Sequence, residues 1–349
     1  MSEPTEVATV RAHRLRSHLL ASPAPDVGAV VRHLHAVQAQ DFGAGRWALG
    51  IRTAGDLTVD DVDRAFDDGE IVRAWTQRGT LHAVAPSSVP GILAVTGERQ
   101  LRALGADAGL VERAERVFRD AVATGGRATR AEFSSALERE GVTGSARQAN
   151  GVLLALSFRG VLALGPVVPR EDGVTREQYL VPLPGGGPVG EDPGVDLLLA
   201  YLRGHAPASS ADFAWWAGIP AGAARAVVER AGDRVASVGD GLLVDREDAA
   251  EPDSSHAAGT LALPAFDEYT LAYADRSVAL GAGDRVSVGP TANGMMRAVV
   301  LRGGVAVGTW RLSLAKGSTG EADALLFPGE TNSGVDLALA RVRRFFGFA

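Results

Sequence analysis

Gln38-Ala39-Gln40-Asp41 places two carboxamides two residues apart, beside a carboxylate. A carboxamide does not titrate, so the pair is ill suited to ordinary proton transfer. Each amide does carry two N–H donors and an oxygen with two lone pairs. Two of them on one short stretch can hold a water molecule or the polar edge of a ligand. A solvated helix end has the same composition, and the tetrapeptide alone does not choose between the two. Asp41 is either a turn residue at that helix end or a group that orients an amide or a water.

Other residues with chemical potential lie further along. Trp75-Thr76-Gln77-Arg78-Gly79-Thr80-Leu81-His82 carries Arg78, which suits a phosphate contact or a pair with a local acid. His82 reads more readily as a packed or hydrogen-bonded structural histidine than as a catalyst. Asp267, Glu268, Asp275 and Arg276 cluster in sequence; a salt-bridge network fits them better than a metal site, since no histidine accompanies them. The stretch from Pro290 to Met296, followed by Arg297, reads either as a minor-groove wedge carrying methionine or as an ordinary strand. Trp75, Trp215, Trp216 and Trp310 read as core. The chain has no cysteine, which excludes disulfides, thiolate metal sites and cysteine nucleophiles.

The elements that must position these groups repeat. Val27, Val30, Val31, Leu34 and Val37 recur at helical spacing, and a second helix follows Thr58. Residues 71–84 then read as a hairpin around a central glycine. Thr129 caps a predicted helix from Arg130 to Glu140, a second spans Ser145 to Phe158, and Gly160 to Gly165 and Gln178 to Pro182 read as strands. Val195 to Arg203, Ala211 to Ala217 (capped at Ser209-Ser210) and Pro220 to Ala231 precede a hairpin turning at Gly239-Asp240-Gly241. Helices followed by a two-stranded wing, three times over, predict tandem winged-helix modules at residues 8–105, 106–188 and 189–250. Gly185 to Pro188 and Glu247 to Gly259 read as linkers. Residues 258–349 are strand-rich and suggest a small antiparallel sheet or barrel with a closing helix from Arg341 to Phe346.

The 349 residues are 46% hydrophobic and 22% charged, as in ordinary globular proteins. The net charge of −7 opposes nucleic-acid binding only at first sight: residues 191–260 carry 5 basic and 12 acidic groups, which is the whole deficit. Lys316 is the sole lysine, so the remaining cations are arginines, the better readers of phosphate. The N-terminus lacks the apolar core of a signal peptide and no run is long enough to span a bilayer. A cytoplasmic, nucleoid-associated monomer is expected.

Gln38-Ala39-Gln40-Asp41, Trp75 to His82, and Leu263-Pro264-Ala265-Phe266-Asp267-Glu268-Tyr269 with Asp275-Arg276-Ser277 together resemble the tandem winged-helix DNA glycosylases of the AlkZ-like group, in its Gln-x-Gln branch. The resemblance covers essentially the whole chain. It implies an α+β fold: three winged helices and a β-barrel around a C-shaped DNA channel. It also implies removal of bulky N7-alkylpurines, the unhooking of interstrand crosslinks, and self-resistance to a DNA-alkylating natural product. Gln38 and Gln40 become the catalytic pair, Asp41 its support, and Arg78, His82 and Arg297 the DNA contacts. The expected partner is double-stranded DNA carrying alkylpurine lesions, with no cofactor and no metal.

The implied chemistry agrees with the residues. An N7-alkylated purine is cationic, so its glycosidic bond is weakened and the departing base needs no general acid. The site must place a water against C1′ and stabilise developing charge, which neutral amides can do. With Lys316 remote from the motif, a Schiff-base lyase route has little support. The alternative from a different class is a non-catalytic winged-helix regulator or drug-binding protein.

Overall fold

The computed structural model describes residues 5–170, 174–184, 189–248, 259–281, 288–289, 294–315 and 318–348. Lys316, most of the two predicted linkers and residues 290–293 of the predicted wedge lie outside them. Helices α1 (Thr5–Ser17) and α2 (Val27–Leu34) lead into a two-residue strand, β1 (Val37–Gln38). Asp26 caps α2 by accepting the Ala29 N–H at 2.6 Å, and Val27, Val30, Val31 and Leu34 form its buried face. The helical spacing predicted through Val37 therefore stops one turn early. His35 adopts φ +66° and closes on the Val31 carbonyl, which swings the chain out of the helix and into a sheet. Gln38 stands on a strand, not on a helix end.

Helices α3 (Phe42–Gly50) and α4 (Val59–Asp67) come next, then the hairpin β2 (Val72–Trp75) and β3 (Leu81–Val84). Its turn, Gln77–Gly79, is a single 3-10 turn in which Arg78 holds φ +58°. The second repeat comprises α5 (Val89–Leu104), α6 (Ala108–Val122), α7 (Arg130–Arg139), α8 (Ala146–Phe158), β4 (Leu162–Val167) and β5 (Gln178–Pro182). The third comprises α9 (Pro193–His205), β6 (Ala208–Ser209), α10 (Ser210–Ala217), α11 (Ala221–Ala231), β7 (Val235–Ser237) and β8 (Leu242–Asp245). The expected caps at Thr129 and Ser209 are present, each as a reciprocal capping box with the acid three residues on, Glu132 and Asp212.

The first two repeats do not have separate wings. A single antiparallel sheet runs β1-β3-β2-β4-β5, joined where Arg73 on β2 pairs with Leu164 on β4. Apolar packing also crosses repeat boundaries: Val72, Ala74 and Val84 share a core with Leu198, Tyr201 and Trp216 of the third repeat and with Tyr273 beyond it. Trp75 and Trp216 are core as expected, Trp310 is half-buried, and Trp215 is not core. Trp215 is 42% exposed, its indole N–H held by the Leu271 carbonyl and its ring beneath Arg276.

The C-terminal region contains β9 (Thr260–Leu263), the short helices α12 (Glu268–Leu271) and α13 (Ser277–Leu280), then β10 (Val299–Arg302), β11 (Val305–Leu312) and β12 (Ala322–Leu326). Its sheet runs β12-β11-β10-β9 and is open: among the described residues β9 and β12 do not pair, so it is not the expected barrel. Four strands are too few to close around filled side-chain layers. The C-terminal helix, Val335–Phe345, packs against β9 and β12 instead, burying Val335, Leu339, Val342 and Phe345. No described helix is long and apolar enough to cross a membrane.

Candidate active site

The Gln-Ala-Gln segment is locked to the hairpin by its backbone. Gln38 pairs in register with His82, and the Ala39 N–H donates to the Leu81 carbonyl at 2.9 Å. Gln40 then leaves the sheet and is exposed, while Gln38 is 6% exposed. The two amides are oriented by backbone donors: Gln40 N–H donates to Gln38 Oε1 at 3.3 Å, and Leu81 N–H donates to Gln40 Oε1 at 3.1 Å. A backbone N–H must meet an oxygen, so these bonds fix which end of each amide is the carbonyl. Each oxygen retains a second lone pair and each amide nitrogen its donors. That arrangement can accept hydrogen bonds from a water while leaving one water lone pair uncommitted.

Behind Gln38 lies Glu268. Its Oε1 accepts the Gln38 backbone N–H at 2.9 Å, and its Oε2 accepts the Trp216 indole N–H at 3.1 Å and stands 3.4 Å from His205 Nε2. Burial would raise this carboxyl, but His205, His82 and Arg78 outweigh that and hold it down at about 2. Glu268 is thus an ionised carboxylate, 1% exposed, one hydrogen bond behind the amide pair. The rest of the predicted acidic cluster is dispersed. Asp267 forms a two-pronged pair with Arg52 at 2.7 and 2.8 Å, both side chains fully buried, and Asp275 binds Ser277. The salt bridge expected there exists, with Arg52 as its partner instead of Arg276.

His82 lies on the same face of the sheet as Gln38 and is fully buried. Its Nδ1 meets the Thr80 carbonyl at 3.0 Å and Thr76 Oγ1 at 2.9 Å. Burial first, then Arg78, lowers its pKa to about 4, so it is neutral at physiological pH. It does not reach the surface. Arg78 is half-buried and packs against Gly218 of the third repeat, where an added Cβ would lie 3.0 Å from its Cγ. Burial lowers its pKa, and Glu268 is the main charge acting the other way.

Asp41 is exposed and caps α3, accepting the Ala44 N–H at 3.0 Å. Two hollows meet there. One, of about 350 Å³, is lined by Gln40, Asp41, Arg46, Arg73 and Arg176 among others. The other, of about 760 Å³, runs over Trp47, Pro264, Trp310 and Leu325, with the exposed Arg297 on its wall. The structure therefore brings Gln40, Asp41 and Arg297 to adjoining hollows, and sets Arg78 and His82 on the inner side with Glu268.

A family model described as DNA glycosylase AlkZ-like matches residues 31–345. The chain belongs to the AlkZ-like DNA glycosylase family. Among characterised relatives, it is 26% identical over 312 residues, 82% of each chain, to the interstrand DNA cross-link repair glycosylase of Streptomyces sahachiroi. Among solved structures, it is similar to the Streptomyces sahachiroi DNA glycosylase AlkZ, with a TM-score of 0.78 and 24% identity, over 99% of this chain and 98% of that one. The mixed α+β fold is thus that of an AlkZ-like enzyme.

Within this AlkZ-like fold, sequence reasoning missed how Glu268 and Arg73 are placed. Glu268 reaches Gln38 only through tertiary packing, so no local pattern marks it. Arg73 did leave a signal. It is a cation in the middle of an apolar strand, between Val72 and Ala74, facing away from the core those two share.

Proposed function

We propose that this enzyme hydrolyses the N-glycosidic bond of N7-alkylated purines in double-stranded DNA, bulky adducts and interstrand crosslinks included. The orientation of the Gln38 and Gln40 amides by Gln40 N–H and Leu81 N–H carries this reading. The second lone pairs of the two oxygens accept from a water, whose own lone pair is directed at C1′. The substrate brings its leaving group already activated, so no acid is required. Departure of the base leaves positive charge on the sugar, and the fixed negative charge of Glu268 behind Gln38 favours that transition state over the ground state. Water adds to C1′ and gives its surplus proton to bulk solvent, leaving a neutral free base and an abasic site without strand cleavage.

In this reading, residues 8–105, 106–188 and 189–250 act as winged helices that, with residues 258–349, line a channel for duplex DNA. The hollows beside Gln40 are open, which suits an adduct too large for a closed base pocket. Self-resistance to an alkylating natural product is the biological setting that follows. The test is incubation with duplexes carrying N7-methylguanine, a bulky N7 adduct or an N7-linked crosslink, scored for free base and abasic sites. Gln38→Ala and Gln40→Ala are expected to lose about 10²–10³ in rate. Tight DNA binding with no base released from any of the three would leave a non-catalytic binding protein.

A further inference from the structure

Arg73 is an interior cation with no acceptor for two of its nitrogens among the described residues. It is 6% exposed, and its Nε and Nη1 are buried without a hydrogen-bond partner. Among the described residues no carboxylate pairs with it. Its neighbour Arg46 differs in this respect. Arg46 Nε and Nη2 donate to Asp63 at 2.6 and 2.9 Å, and Nη1 donates to the Thr175 carbonyl at 2.6 Å. Both guanidiniums rest on the Phe42 ring, 3.6 Å from its centroid for Arg46 and 4.1 Å for Arg73. The stacking holds the Arg73 plane in place but supplies no acceptor. A buried donor left unmade costs about 1–3 kcal/mol, and more when charged. Such a group calls for an explanation, and a bound ligand that supplies the missing acceptors is one.

The hollow beside it indicates which ligand. Its volume is about 350 Å³, and Arg46, Arg73, Arg176 and Asp41 are its charged lining. Asp63 neutralises Arg46. Asp41, whose Oδ1 already accepts the Ala44 N–H, offsets one of the two remaining arginines. Among the described residues one positive charge is left over, which matches a single phosphodiester rather than a dianion or a metal. Phosphodiester oxygens are also the acceptors an arginine reads best. Gln40 lines the same hollow, so an anion bound there sits beside the amide pair.

We propose that Arg73, with Arg176, is the binding site for one phosphodiester of the lesion-bearing strand, and that this contact sets the register of the damaged nucleotide against Gln40. The inference rests on the glycosylase reading only for the choice of DNA as the source of the phosphate. The buried cation and the charge balance stand without it.

The test is a binding scan of full-length protein on duplexes holding one stable abasic analogue, with single phosphates replaced in turn by neutral methylphosphonates. One position near the analogue is expected to weaken wild-type binding about tenfold, in line with the loss of one charged contact. Arg73→Gln should weaken binding to the unmodified duplex by a similar factor and become indifferent at that position. Arg176→Gln, at an exposed residue that cannot unfold the chain, should share the sensitive position and reduce the salt slope by about one. Effects of substitution and methylphosphonate that simply multiply, or a scan with no sensitive position, overturn the proposal. So does competition by free inorganic phosphate with no sensitive position in the duplex, which would mark a small-anion site. Base release is measured in parallel. Coupling without base release would sink the catalytic reading and leave the phosphate site standing, and base release without coupling would do the reverse.

Discussion

The carboxylate of Glu268 accepts the backbone N–H of Gln38 at 2.9 Å, joining the C-terminal region to the strand that carries the first of the two amides. The bond brings full negative charge to a neutral site without exposing a carboxylate to the substrate. It also makes the placement of Gln38 depend on the packing of Trp216 and His205, which meet the other oxygen.

Glu268→Gln keeps the shape and can still accept from Gln38 N–H. It loses the charge, and its amide nitrogen has to face the Trp216 indole N–H or give up Gln38. A stability loss on the order of 3 kcal/mol and a rate loss of about tenfold are expected. The pH dependence gives the sign. Glu268 titrates at about 2, below its ordinary 4.5, so its stabilisation is full above about pH 4.5 and is lost as pH falls toward 2. Urea unfolding of both proteins across that window checks this; equal slopes against pH would contradict it.

Gly45→Ala tests the seat of the motif. Alanine inside a helix normally stabilises by about 1 kcal/mol over glycine. Here the added methyl would lie 2.6 Å from Ala39 Cβ and 2.9 Å from its Cα, so the segment between Gln38 and Gln40 must move off α3. The expected result is a fold that persists, with a rate loss of about 10² from misplaced amides. Circular dichroism and base release on the same sample separate the two, and unchanged activity would argue against the segment as the reacting element.

The buried histidines predict a second pH effect at milder acidity. His82 is held at about 4, and His18 well below its usual 6.5, in both cases chiefly by burial. The unfolded chain therefore binds protons that the folded chain refuses. Stability should fall as pH drops from about 6.5 toward 4, by up to about 1.4 kcal/mol per pH unit for each group. Thermal melts from pH 7.5 to 4.5 measure it. A flat melting temperature over that range would show that these histidines are hydrated rather than sealed.

Local chemistry was legible in the sequence where local chemistry decides the outcome. The caps at Thr129 and Ser209 and the strand from Gln178 to Pro182 follow from side-chain hydrogen bonding and strand propensity, and they stand where expected. Val37 fits the helical spacing of the residues before it, yet the chain leaves the helix at His35 because β1 gains its hydrogen bonds from β3, far ahead in sequence. The same non-locality hid the bridge between Arg73 and Leu164 and the contact of Glu268 with Gln38. Of the candidate site, the amide pair was visible as a motif. Its setting was not, because an unpaired guanidinium and a buried carboxylate are recognisable only once their neighbours are known.

The pairing of β2 with β4 has a consequence for ancestry as well as for shape. If the repeats arose by duplication, the second copy has since given up its own wing boundary and become a continuation of the first. A gene cut between them would leave β2 and β4 as bare strand edges, each a template for association with any other chain. The first two repeats are therefore inherited together, and the third is tied to them through a shared core, where Leu198, Tyr201 and Trp216 pack with Val72, Ala74 and Val84, rather than through a shared sheet.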